Sequence, residues 1–450
     1  MNNQDNKKRV TPKLRFPKFQ TTLGWEVTQL KFICDVLQGN VFPEALQGKK
    51  SGKYPFFKVS DISRSIIDSN GHLSKAANYV DESDVSKLKA KIIPKNSTVF
   101  AKIGEALRLN RRAYTQSECL IDNNIAALKA NGKANDYFIY QLSQLIDLNN
   151  YFAGAVPSVN KSTLENIEIS FPEIKEQQKI ADCLSSINEL INLREQKLAA
   201  LKQHKKGLMQ QLFPSHNDLQ ASKQASKQAS KQASKQASKQ IVYPKLRFPQ
   251  FKDCEGWKVV KLGNVFKRIT LKNKENNQNV LTISAQYGLI SQLEFFNKSV
   301  AAKNITGYYL LHKGDFAYNK SYSNGYPWGA IKPLKLYDKG VVSTLYICFR
   351  LQELHLEYGS FFEHYFETGL QNPEISQIAQ EGARNHGLLN VSVQDFFENI
   401  SICLPSSKEQ QAIADCLSSL DKLIREENEQ IDRLKDHKKG LMQQLFPKIQ

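Results

Sequence analysis

The chain has 450 residues, 41% hydrophobic and 10% aromatic, so it is too long for one ordinary core and too apolar for a disordered polymer. Its formal net charge of +18, from 62 Lys+Arg against 44 Asp+Glu, suits a polyanionic partner such as nucleic acid, although plain solubility would also explain a basic surface. The start, MNNQDNKKRV, lacks a signal peptide's apolar run. No stretch nears the roughly 18 apolar residues of a membrane span, and seven cysteines without a CxxC fit reduced thiols in a cytoplasmic protein.

Taken in order, the chain is written twice. PKLRFPKF at 12–19 returns as PKLRFPQF at 244–251, and LGWEVTQL at 23–30 returns as EGWKVVKL at 255–262. KEQQKIADCLSS at 175–186 returns as KEQQAIADCLSS at 408–419, and HKKGLMQQLFP at 204–214 returns intact at 437–447. The first two pairs are offset by 232 residues and the last two by 233. Between these ends, about 140 residues per unit barely resemble their counterparts. Such a pattern suits one scaffold holding two different readers; drift after duplication would not spare the ends.

The first variable region, 1–172, reads as mixed α/β. Ile92–Ile93, Ser97–Ala101 and Ile167–Phe171 are β-rich, and Tyr137–Asp147 looks helical. The pair Gly24-Trp25, like Gly256-Trp257 later, is expected to anchor a first strand rather than to stack on bases. Lys58 and the segment around GEALRLNRRAY, with Lys102, Arg108, Arg111 and Arg112, are the candidate DNA contacts here. A guanidinium fork can grip guanine or phosphate.

Region 173–214 is a predicted long helix. Ile180, Leu184, Ile187, Ile191, Arg194, Leu198, Leu201, Lys205, Leu208 and Leu212 follow alternating steps of four and three. In 405–450 the same steps run through Ile413, Leu417, Leu420, Ile424, Glu427, Ile431, Leu434, Lys438, Leu441 and Leu445. Two matched heptad seams most simply pack on each other, and an antiparallel pairing is expected. Arg194 and Glu427 occupy equivalent positions with opposite charge, either as an inter-helix pair or as two interruptions that fix register. Gly207 and Gly440 are candidate unwinding points, and Pro214 and Pro447 should stop the helices. Cys183 and Cys416, also equivalent, read as small buried hydrophobes.

The spacer, 215–241, contains ASKQ five times at 221–240, with Lys223, Lys227, Lys231, Lys235 and Lys239. Ala, Lys and Gln favour helix while lysines four apart repel, so a solvated or frayed helix is expected. The second variable region, 242–404, is again mixed α/β, with a β-rich run at Val341–Leu351. Its DNA-contact candidates are Lys320, Tyr322, Asn324 and the neighbouring Tyr326 in YNKSYSNGYPWGA, and Arg384, Asn385 and His386 in EGARNHG. Asn can read adenine, but phosphate contact or solvation is the commoner fate of any one such residue.

Chemistry-bearing motifs are missing. There is no P-loop, no GxGxxG opening a helix, no Asn/Asp-Pro-Pro-aromatic box, no HExxH and no paired Cys/His spacing. No catalytic residue and no metal site are assigned.

Together, the PKLRFP…GW openings, the KEQQxIADCLSS starts, the HKKGLMQQLFP endings and the segments 314–331 and 340–350 resemble the specificity subunits of type I restriction–modification enzymes. The resemblance implies an α+β fold: two target-recognition domains separated by an antiparallel coiled coil of two long helices, with a pseudo-twofold internal repeat. It implies that each domain reads half of a bipartite, asymmetric site in double-stranded DNA. The helices would dock two modification subunits carrying S-adenosylmethionine, joined by restriction subunits that use ATP and Mg; this chain itself would bind no cofactor. Members use short central tandem repeats as length regulators, and the ASKQ array stands at that place. On that expectation, removing one repeat shortens the gap between half-sites by about one or two base pairs. Competing readings are a nuclease or methyltransferase with a diverged centre, a coiled-coil scaffold without DNA, and a silent specificity cassette.

Overall fold

The computed structural model describes residues 8–232, 240–284, 288–296, 304–323, 325–352, 359–380 and 389–448. The chain forms two units. Unit 1 comprises Met1–Leu198 with Glu427–Gln450, and unit 2 comprises Ala199–Glu426. The long helices α1 (Ile174–Leu212) and α3 (Ser407–Leu445), 39 residues each, contribute to both, whereas α2 (His216–Gln232) belongs to unit 2.

Matching sequence makes matching structure. In unit 1, β1 (Arg9–Val10), β2 (Trp25–Gln29) and β3 (Glu168–Phe171) form an antiparallel sheet in that order, with Val10 opposite Trp25. In unit 2, β4 (Ile241–Val242), β5 (Trp257–Lys261) and β6 (Ser401–Leu404) repeat it, with Val242 opposite Trp257. The glycines before the tryptophans allow this close pairing. A Cβ at Gly24 would lie 3.0 Å from the Val10 carbonyl oxygen, and one at Gly256 only 2.4 Å from Ile241.

Behind these sheets the units differ. Unit 1 builds a five-stranded sheet in the order Cys34–Gln38, Ile125–Ala130, Thr98–Ala101, Ala113–Thr115, His72–Leu73, and a three-stranded one around Tyr54–Phe57. Unit 2 builds a four-stranded antiparallel sheet, Phe266–Arg268, Ile347–Leu351, Phe316–Asn319, Ala330–Pro333, with several two-stranded ribbons. Apolar residues on the inner faces supply the cores, each fully buried Leu, Ile or Phe contributing roughly 1.5–3 kcal/mol.

Both helices keep the predicted seam, and every one of its twenty positions is buried or half-buried. The pairing is antiparallel. In unit 1, Ile180 and Leu184 near the start of α1 share a core with Met442, Leu445 and Phe446 at the end of α3. In unit 2, Ile413 and Leu417 near the start of α3 share a core with Leu212 and Phe213 at the end of α1. Arg194 Nη1 donates to Glu427 Oε1 at 2.7 Å, and Lys197 pairs with the same carboxylate at 2.9 Å. Equivalent positions of an antiparallel pair meet only near its midpoint, so this contact fixes the register.

Local expectations change in places. The helices run unbroken through Gly207 and Gly440, because seam packing on both sides outweighs the glycine cost of about 1 kcal/mol. They end at Leu212 and Leu445, just before the prolines, as expected. Ile92–Ile93 contributes one bridge, Ile93 to Cys119, rather than a strand. The helix expected over Tyr137–Asp147 spans Asp136–Gln144, opened by the Asn135 side chain accepting from Phe138 N at 2.9 Å. In the spacer, α2 reaches Gln232 and is no free-standing rod: Leu219 enters the core of unit 2, and Lys223 pairs with Glu374.

Candidate nucleic-acid interface

Each variable domain is fixed to its long helix by a buried three-residue clamp. Arg15, from PKLRFP, donates through Nε and Nη2 to both oxygens of Glu176 (2.8 and 2.6 Å), and Trp25 Nε1 donates to Glu176 Oε1 at 3.3 Å. In unit 2, Arg247 grips Glu409 at 2.8 and 2.6 Å, with Trp257 Nε1 at 3.2 Å. The pairs are nearly out of solvent, so each carboxylate depends on the guanidinium and indole, and each guanidinium on the carboxylate and neighbouring carbonyl oxygens, for solvation. The arginine is held above its usual pKa chiefly by its hydrogen bonds to the glutamate. Each tryptophan is fully buried, and its ring meets the phenylalanine that closes the opposite helix: Trp25 with Phe446 at 5.7 Å, Trp257 with Phe213 at 5.8 Å, both at 84°. Leu14 N donates to Gln444 O, and Leu246 N to Gln211 O, both at 3.0 Å. The Gly-Trp pairs therefore anchor structure and are closed to bases.

The basic candidates of unit 1 gather on one set of connections. Lys58 follows the Tyr54–Phe57 strand; its Nζ donates to Gln47 at 2.7 Å and lies 5.5 Å from the Phe42 ring. Lys102 follows the Thr98–Ala101 strand and reaches the Gln38 side chain, burial lowering its pKa. The two flank one turn, since Asp122 N donates to Phe57 O and Lys102 N to Asn124 O. Arg108 is exposed, 3.2 Å from Glu105 and 5.3 Å from the Phe152 ring. Arg111 is half-buried, and no side-chain partner is found for it among the described residues.

Arg112 is a correction. It is only 4% exposed, its guanidinium lies 4.8 Å from the Phe100 ring and donates to Asn110 and to the Ile146 carbonyl, and burial lowers its pKa to about 10. It holds the connection in shape and is withdrawn from the contact candidates.

In unit 2, Lys320 is half-buried after the Phe316–Asn319 strand, its carbonyl accepting from Leu389 N, and burial lowers its pKa. Tyr322 stands out of the surface, 66% exposed. Tyr326 is committed elsewhere, donating to Glu367 at 2.8 Å. Asn324, Arg384, Asn385 and His386 lie outside the described residues. Cys183 and Cys416 are half-buried rather than buried, and burial pushes both thiols up.

Lysines from the end of each helix also line a cleft in each unit. In unit 2 a cavity of about 550 Å³ is bordered by Lys202, Lys205 and Lys206; in unit 1 one of about 480 Å³ is bordered by the repeat-equivalent Lys435, Lys438 and Lys439.

The type I restriction modification DNA specificity domain matches the chain twice, over 22–203 and 254–436, well over half its length. The chain belongs to that family. Each match begins just before a Gly-Trp pair and ends within the long helix that follows. Two Methanocaldococcus jannaschii proteins are similar: one named for the specificity role in the MjaX type I restriction enzyme, 25% identical over 454 residues (91% of each chain), and the MjaVIII specificity subunit, 24% identical over 431 residues (91% of this chain, 90% of that one). The fold is shared with the solved type I restriction–modification S subunit from M. genitalium, with a TM-score of 0.55 and 15% identity over 98% of this chain and 100% of that one. As a type I specificity protein the chain confers DNA specificity, which is a non-catalytic role. Among the described residues, no helix is long and apolar enough to cross a membrane.

Sequence reading missed the clamps of this specificity protein. The signal was present: Arg15/Arg247 and Glu176/Glu409 are charged residues retained in both copies of otherwise apolar or helical motifs.

Proposed function

We propose that the two globular domains each read one half of a bipartite, asymmetric duplex site, while the paired helices hold them and dock the catalytic subunits. The observation that carries this reading is the contrast within each unit: an identical clamp and seam on one side, an unrelated sheet system on the other. Two different readers on one repeated mount call for two different half-sites.

Lys58, Lys102, Arg108 and Arg111 in unit 1, and Lys320, Tyr322, Asn324, Arg384 and Asn385 in unit 2, are the contacts we assign to DNA. Lys58, Lys102, Arg111 and Lys320, half-buried, and Arg108, exposed, suit phosphates first and base edges second. The partners are two modification subunits bringing S-adenosylmethionine, and restriction subunits bringing ATP and Mg, in the cytoplasm. All bond-making belongs to them, and this chain supplies position.

Single-molecule sequencing of genomic DNA with and without the gene tests the reading. Expected is one split motif, with unlike halves and a fixed gap, that carries N6-methyladenine only when the gene is present. Methylation unaffected by the gene, or confined to a contiguous motif, would refute it.

A further inference from the structure

The two lysine-bordered clefts stand in equivalent places and differ in how their charge is balanced. Each is also walled by the end of a short helix of the globular domain, Asp136–Gln144 in unit 1 and Gly359–Glu367 in unit 2. These short helices correspond, since Phe138 meets Trp25 at 5.8 Å and 60°, and Phe361 meets Trp257 at 5.9 Å and 61°. Their last residues line the clefts: Gln144 in unit 1, and Glu367, itself paired with Lys332, in unit 2. Unit 2 answers its central lysine with a carboxylate, Lys205 to Asp421 at 2.5 Å. The position equivalent to Asp421 in unit 1 is Asn188, whose amide donates to the Tyr137 hydroxyl. Two carboxylates of unit 2 thus correspond to two amides of unit 1.

The lysines of the unit 1 cleft are accordingly under-compensated. Lys435 has a partner, Glu195 at 2.7 Å, and Lys439 is exposed. Lys438 is half-buried, no ion pair is found for it among the described residues, and burial lowers its pKa to about 8. A cation drawn out of water loses solvation that a counter-charge restores, and here an open cavity of about 480 Å³ lies beside it instead. The cleft also joins the basic connection of its own domain. Leu145 lines it, and the carbonyl of the next residue, Ile146, accepts from Asn110 Nδ2 at 3.1 Å and from Arg112 Nη2 at 2.9 Å. Between those two stands Arg111. One short segment therefore borders both the cleft and the arginine assigned above to DNA.

We propose that the unit 1 cleft receives a backbone phosphate of duplex DNA at Lys438 and Lys439, and that the unit 2 cleft, whose central lysine is already paired, receives none. A phosphate supplies the counter-charge that Lys438 lacks, and the Gln144 amide is a donor suited to a further phosphate oxygen. The end of α3 then takes part in binding DNA, whereas the end of α1 only holds its domain. The proposal rests on the DNA-reading function above.

The test is the affinity of the full chain for duplex fragments of genomic DNA, measured against chloride concentration, with melting in the same buffer to check that each variant is folded. Lys438→Met is expected to make the log–log salt slope shallower by about 0.9, and Lys438→Met with Lys439→Gln by about 1.8. Lys206→Gln, the unit 2 counterpart of Lys439→Gln, is expected to leave the slope unchanged. An unchanged slope in Lys438→Met would overturn the proposal, as would an equal loss from Lys206→Gln. A second arm adds inorganic phosphate without DNA: if phosphate raises the Tm of the wild type more than that of Lys438→Met while the slope stays unchanged, the cleft takes a free anion, and the proposal is overturned in that form. If wild-type binding has no salt dependence at all, it is the function proposed above that fails, and the two failures are distinct.

Discussion

Unit 1 and unit 2 close their clamps with the same atoms and fill the space behind them with unrelated sheets. Arg15, Glu176, Trp25 and Phe446 in one correspond to Arg247, Glu409, Trp257 and Phe213 in the other, at distances that agree within 0.1 Å. Five strands then stand where the other unit has four. The difference separates two kinds of constraint. A buried Arg–carboxylate–indole contact tolerates no change of partner, because any survivor is left desolvated. A sheet behind it needs only an apolar inner face, so its outer loops are free to diverge.

A second contrast runs along the helices. In unit 2, Lys205 pairs with Asp421 at 2.5 Å. The repeat-equivalent lysine of unit 1 is Lys438, and the position equivalent to that aspartate is Asn188, which donates to the Tyr137 hydroxyl. Among the described residues Lys438 has no carboxylate within ion-pair reach, and burial lowers its pKa to about 8. One seam site carries a compensated charge and its twin does not.

The largest effect should come from the clamps. Glu176→Ala and Glu409→Ala should each destabilise the protein by about 3–5 kcal/mol, read by denaturant unfolding, because a buried guanidinium loses its counter-charge. Losses of similar size would confirm the twin design; a neutral result at either would break the comparison. Next come the neighbouring arginines of unit 1. Arg112→Ala should cost about 2–3 kcal/mol of stability, leaving a carbonyl and an amide without their donor, and leave the salt dependence of DNA binding unchanged. Arg111→Gln should do the reverse: stability within about 0.5 kcal/mol, and a log–log salt slope shallower by about 0.9.

The smallest effect concerns the lysine pair. Lys438→Met should stabilise by about 1–2 kcal/mol at pH 7, since the native state no longer buries an uncompensated cation. Lys205→Met should destabilise, leaving Asp421 without its lysine. The sign follows from linkage. Lys438 has a folded pKa of about 8, below the unfolded value of about 10.4, so its cost is complete below pH 8 and fades as pH rises through that window. The advantage of Lys438→Met should shrink accordingly above pH 8 in thermal melts.

The scaffold was legible because it obeys short-range rules. Heptad steps gave all twenty seam positions, and the Gly-Trp pairs marked strands at Trp25 and Trp257, each the second along the chain in its sheet rather than the first. Helix stops were readable from Pro214 and Pro447. What stayed hidden depends on partners distant in sequence. Arg15 and Glu176 are 161 residues apart, and no local pattern joins them. Arg112 reads like its neighbours Arg108 and Arg111, and only the fold directs it inward onto Phe100. Gly207 and Gly440 look like breaks because propensity speaks before packing does. Lys223 looked like one of five equivalent solvated lysines until Glu374 met it.

The central claim is that each globular domain is a separate reader on a repeated mount. It is tested most directly by replacing residues 258–400 with a copy of 26–167, leaving both clamps intact, and sequencing methylated DNA from cells that hold the full complex. The account predicts that the asymmetric split motif gives way to one whose two halves are inverted copies of the half read by unit 1. Persistence of the original asymmetric motif would contradict it.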